Sequence, residues 1–162
     1  MRTRAAATAR RRIGGLWPTL TIDTEPVASS TGAMEGMVGP GLFVSNPDRS
    51  LKFYTDGLGM VLRMKMGDDL IVGFGRNMMD AGIMLLKDKS AKPQKIAHAH
   101  GFDRIAWRVN DLATINARLK AAGFAPGEIK VVHGAIQMMI VTDPDGYRME
   151  LIDSKPAPKA KP

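Results

Sequence analysis

Few side chains in this sequence do chemistry on their own. Cysteine is absent and there are three histidines, His98, His100 and His133. Disulfides, thiolate nucleophiles and sulfur-ligated metals are therefore excluded. No nucleophile-elbow serine motif and no Gly-x-x-x-x-Gly-Lys loop occurs, so neither a serine triad nor a phosphate cradle has support. The informative groups are charges on strand-like stretches. Arg104 and Arg108 alternate with Ile105, Trp107 and Val109, and Arg148 and Glu150 alternate with Met149 and Leu151. Successive strand side chains point to opposite faces, so the arginines and the glutamate should share the face opposite the apolar set. Gly39, Gly41 and Phe43 fall on that face of the first strand by the same parity, which a one-residue slip would invert. Arg104 and Glu150 are expected to form a charge-assisted pair there, because a carboxylate without a partner is costly away from water.

The elements that must position these groups come in two copies. Residues 41–60 read as a strand, an Asn46-Pro47-Asp48 turn and an amphipathic helix ended by Gly59; residues 104–124 repeat the order, with Gly123 as terminator. Asp48 and Asp111 are the expected N-caps, and Leu51, Tyr54 and Leu58 match Ile115, Leu119 and Ala122 in helical spacing. Strand-like runs follow each helix, at 61–66, 70–74 and 82–87, then at 129–132, 135–141 and 147–152. Both halves read βαβββ, an α+β arrangement of two tandem modules. Each four-stranded sheet buries one face under its helix and leaves the other needing a partner.

The net charge of +7 comes from the ends. Arg2, Arg4, Arg10, Arg11 and Arg12 open the chain, Lys155, Lys159 and Lys161 close it, and the stretch between is nearly neutral. A duplex-binding protein carries its basic residues on a folded face, so no nucleic-acid partner is expected. Residues 1–33 form a basic extension expected to be disordered, residues 34–154 the domain (modules at about 38–88 and 102–153), and residues 155–162 a disordered Pro/Lys tail. Translation from Met34 or Met37 explains the same composition. No apolar run approaches the roughly 18 residues of a membrane span, so no membrane association and a cytoplasmic location are expected.

The strings Asn46-Pro-Asp-Arg-Ser-Leu-Lys-Phe-Tyr54 with Gly57-Leu-Gly-Met60, and Val141-Thr-Asp-Pro-Asp-Gly-Tyr-Arg-Met-Glu-Leu-Ile152, make the resemblance specific. The chain resembles the vicinal-oxygen-chelate superfamily of glyoxalase I, bleomycin-resistance proteins and extradiol dioxygenases. The resemblance implies a cupped mixed sheet with up to four metal ligands on its concave side, one from the first and last strand of each module. Those positions fall on Gly39, Leu85, Arg104 and Glu150, with the same offset separating the members of each pair, and of them only Glu150 can ligate. No cofactor is therefore expected; Zn, Ni, Fe or Mn would bind only through an atypical ligand set, for which His98, His100 and His133 are the spare imidazoles.

The implied function is binding of an apolar or aromatic ligand, possible anionic groups included, by a homodimer. Arg104, Arg108, Phe43, Met138, Ile140 and His133 are the candidate ligand-binding residues, within a lining that also draws on Phe74, Phe102, Met64, Met66, Met78, Met79, Met84 and Met139. The alternatives are a glyoxalase-like lyase or isomerase, or an extradiol-type dioxygenase, with an unrecognised metal site, or a metal-free enzyme in which Glu150 is the catalytic base and Arg104 steadies an oxyanion.

Overall fold

Proline at the second position of Asn46-Pro47 sets how the first helix begins. Its fixed φ suits the first helical residue, where a missing N–H costs nothing, so the cap falls two residues earlier than expected. In the computed structural model, which describes residues 38–77, 80–133 and 136–156, the Asn46 side chain accepts the Arg49 N–H at 3.0 Å. Asn46, not Asp48, is the N-cap, and Asp48 sits in the first turn, beside the positive end of the helix. The described residues belong to one compact unit, Met37–Pro162. Residues 1–37 and 157–162 lie outside them, and with them the expectations about both ends.

The order of elements is β1 (Gly41–Phe43), α1 (Pro47–Lys52) widening into a π-helical turn (Phe53–Gly57), β2 (Val61–Met66), β3 (Asp69–Gly73) and β4 (Gly82–Leu86). The second module follows with β5 (Ile105–Val109), α2 (Leu112–Ala121), β6 (Lys130–Val132), β7 (Ile136–Thr142) and β8 (Arg148–Pro156). Both modules are βαβββ. Their sheets run β1-β4-β3-β2 and β5-β8-β7-β6, the outer pairs β1–β4 and β5–β8 parallel and the rest antiparallel. β8 continues to Pro156, into the stretch read as tail, because Ile136 pairs with Pro156 beyond a register shift in β7.

One core serves both modules: Phe53, Tyr54, Leu85, Leu119, Met139 and Leu151 are each at most 2% exposed. The π turn and α2 pack together at Gly57, where a Cβ would come within 2.6 Å of Leu119. Asp111 caps α2 as expected, accepting the Thr114 N–H at 2.9 Å. Arg118 of α2 donates to the Leu58 carbonyl at 3.3 Å, closing the end of the first helix from the second module.

The Asp143-Pro144-Asp145-Gly146 turn ties the halves together. Asp143, 4% exposed, accepts the Tyr54 hydroxyl at 2.8 Å and the backbone N–H groups of Asp145 and Tyr147 at 2.9 and 2.8 Å. The Asp145 carboxylate accepts from the Ser45 hydroxyl and N–H and from the Ser50 hydroxyl. Two aspartates of the second module thus hold the first, Asp145 at its strand-to-helix corner and Asp143 at its π-helical turn, which gives that turn a role well beyond reversing the chain.

Candidate functional site

Each sheet keeps one face on the core and one open. In β5, Ile105, Trp107 and Val109 pack toward the core while Ala106 and Arg108 are exposed; in β8, Met149 and Leu151 are buried while Glu150 and Ile152 are half-buried. Direct pairing carries that face across the sheet. Ala106, Glu150 and Ile140 form one row, and Arg108, Ile152, Met138 and Lys130 the next.

Arg104 and Glu150 meet on this face. Arg104 Nε donates to Glu150 Oε2 at 2.8 Å, with the glutamate side chain 15% and the arginine side chain 39% exposed. Arg104 Nη1 also bonds the Asp103 carboxylate, whose other oxygen accepts Arg148 Nη1 at 2.7 Å. Charges therefore alternate Arg148, Asp103, Arg104, Glu150. The Glu150 hydrogen bond, more than the neighbouring negative charges, raises the Arg104 pKa above its ordinary value, so the guanidinium stays charged at any working pH.

The open face of the first module is apolar along β1 and β4, while the Arg63 guanidinium lies over Gly73 and bonds the Gly75 and Asp80 carbonyls, and Asp69 with Lys89 stands at the Met66 end. Register places Gly41 beside Met84 and Phe43 beside Leu86, with Met64 opposite Ile71. Phe43 and Met66 are each 53% exposed. Leu85, expected on this face, points the other way: it is fully buried, paired with the buried Leu42. Met84 holds the position that corresponds to Glu150, since Gly41 with Met84 and Ala106 with Glu150 are equivalent pairs. Matching Met84-Leu85-Leu86 to Met149-Glu150-Leu151 by residue identity is thus one residue out of phase with burial. Met139 is likewise a core residue and not a lining one. Gly39 precedes β1 with φ +140°, and a Cβ there would lie 1.9 Å from the Gly82 carbonyl oxygen; that position cannot carry any side chain in this backbone.

The histidines stand apart. His98 Nε2 is 2.8 Å from the Asp145 carbonyl oxygen and its ring meets Tyr147 edge-on, bracing the 143–146 turn. His100 is exposed in the turn before β5. His133, with φ +49°, follows β6, at the Ile136 end of β7, whereas Arg104 lies toward the Thr142 end, about 20 Å along the strand. Phe74 leaves the open face to meet Trp107 at a ring-centroid distance of 5.0 Å, and Met78 and Met79 lie outside the described residues. Sequence alternation missed Asp103, which precedes the strand and showed itself only once Arg104 and Arg148 converged on it.

These residues do not fit the metal that the fold suggests. Of the four ligand positions, two lack a ligating group, one is a guanidinium, and Glu150 is bonded to it. Among the described residues no three His, Cys, Asp or Glu side chains come together as a metal site.

A sequence model described as the Glyoxalase/Bleomycin resistance protein/Dioxygenase superfamily matches residues 36–151, and the chain belongs to that family. A probable lactoylglutathione lyase of Synechocystis is 34% identical over 121 residues, 68% of this chain and 89% of its own. One from Vibrio parahaemolyticus is 35% identical over 124 residues, 72% of this chain and 88% of its own. Among solved structures, the trypanothione-dependent glyoxalase I of Leishmania major superposes with a TM-score of 0.58 at 25% identity, covering 74% of this chain and 87% of that one. TioX from Micromonospora sp. ML1, at a TM-score of 0.54 and 16% identity, shares the fold. No helix of the described residues is long and apolar enough to cross a membrane.

Proposed function

We propose that this chain is a small-molecule-binding member of the superfamily whose metal site has degenerated, and that its ligand is an apolar or aromatic compound carrying an anionic group. The Arg104–Glu150 bond supports this reading most directly. A divalent ion entering there would face a permanent cation and would have to strip a carboxylate from its guanidinium, gaining one residue as ligand where three or four are needed. Met138 and Ile140 beside the charged row, and Phe43 on the first module, suit an apolar body; the arginines suit an anion.

The protein acts as a homodimer in this reading. Phe43, Met64 and Met66 stand exposed on the open face of the first module, and a symmetric second copy would cover them while walling in the charged face.

Metal analysis tests the proposal. Protein incubated with Zn, Ni, Fe and Mn salts and then desalted is expected to retain far less than one ion per chain and to show no lactoylglutathione lyase activity with any of them. A stoichiometric ion would restore the second reading, a metal-dependent lyase, which the names and 34–35% identity of the relatives favour. That reading needs ligands from outside the described residues or from a second copy.

A further inference from the structure

We infer that Arg108, and not Arg104, is the residue that takes the anionic group of the ligand, and that the ligand is an aromatic or other flat apolar body bearing a single carboxylate or sulfonate; this rests on the binding reading above. Arg104 is already committed, since its guanidinium bonds Glu150 and Asp103 and its charge is balanced there. A ligand anion would compete with two carboxylates for it. Arg108 shares the open face four residues further along, beyond Ala106, and is exposed, and among the described residues no hydrogen bond or ion pair engages it.

The neighbours of Arg108 fit such a ligand. Its direct partner across the sheet is Ile152, and Ile152 pairs with Met138. With Ala106 and Ile140 in the adjoining row, on either side of Glu150, they make a floor across three strands, roughly 10 Å wide, that is apolar apart from the Glu150 carboxylate held by Arg104. Lys130 closes the far side of the row, its side chain exposed and 3.9 Å from the more exposed Glu128. A flat ring system laid on Met138, Ile140 and Ile152 puts a terminal acid over Arg108, whose planar fork donates two hydrogen bonds to a carboxylate or sulfonate. Methionine in the floor adapts to rings of different outline.

Two dyes with closely similar aromatic bodies separate charge from packing: 8-anilino-1-naphthalenesulfonate, an anion, and N-phenyl-1-naphthylamine, which is neutral. Fluorescence titration of the full chain should show tighter binding of the sulfonate. Arg108→Ala should weaken the sulfonate by about tenfold while changing the neutral dye by less than about twofold. Arg108→Lys should keep part of the preference, and Arg104→Gln should not abolish it. Circular dichroism confirms that each variant folds. Equal affinity for both dyes in the wild type, equal loss of both in Arg108→Ala, or loss of the preference in Arg104→Gln overturns the assignment while leaving the carrier reading in place. Binding of neither dye overturns both.

Discussion

Asp143 shows how a single residue couples the two modules and makes their union sensitive to pH. Burial raises its pKa above the ordinary carboxylate value, and the Tyr54 hydroxyl and two backbone N–H groups only partly offset that. The Tyr54 phenol is itself pushed well up, by burial first and by the Asp143 charge second. A folded-state pKa above the unfolded one means the native protein binds that proton more tightly. The contribution of Asp143 to stability is therefore full below the unfolded value and is lost as pH rises through the folded one. Tyr54→Phe removes a donor from a buried carboxylate and should cost roughly 1–3 kcal/mol at neutral pH, with a smaller loss in acid where the carboxyl is protonated. Urea unfolding at several pH values checks this; a penalty independent of pH would mean that the hydroxyl matters only for packing. The Arg104–Glu150 contact was legible in the sequence at this scale because both residues interrupt an apolar alternation on strands of one module. The Leu85 position was misplaced for the converse reason: β4 is apolar on both faces, so residue identity had no parity to constrain it.

At the scale of elements, caps and glycines fix where helices begin and how closely they approach. Asn46→Ala removes the hydrogen bond to the Arg49 N–H and should destabilise the protein by about 1 kcal/mol, whereas Asp48→Ala, which loses only an interaction with the helix dipole, should cost a few tenths. Chemical denaturation of the two variants distinguishes them, and equal costs would return the cap to Asp48. The π turn at Phe53–Gly57 was not legible. Its extra residue per turn is stabilised by burial of Phe53, Tyr54 and Gly57 against the second module, a tertiary gain that helical spacing alone does not encode.

For the whole molecule, the two open faces differ in chemistry: the first exposes Phe43 and Met66 beside the edge charges of Arg63 and Asp69, and the second carries the alternating charges of Arg148, Asp103, Arg104 and Glu150. Sedimentation should find a dimer in the wild type. The combined change Phe43→Asp and Met66→Asp places charge on the first face, where it costs little in a monomer and much at an interface. It should give a folded monomer with weakened dye binding. A wild-type monomer at tens of micromolar, an ordinary concentration for such assemblies to persist, would remove the dimer from the proposal.

The sequence by itself determined the duplicated βαβββ plan, the parity that puts Arg104, Arg108 and Glu150 on one face, and the family signatures at residues 46–60 and 141–152. These are local properties, set by side-chain periodicity and turn chemistry within a few residues. Tertiary structure alone decided that Met84 and not Leu85 mirrors Glu150, that Gly39 has no room for a side chain, that Asp103 links two arginines, and that the 143–146 turn anchors the opposite module. Each of those depends on which strands lie side by side and in what register, and hydrogen bonding between distant segments, not the pattern along any one of them, sets that register.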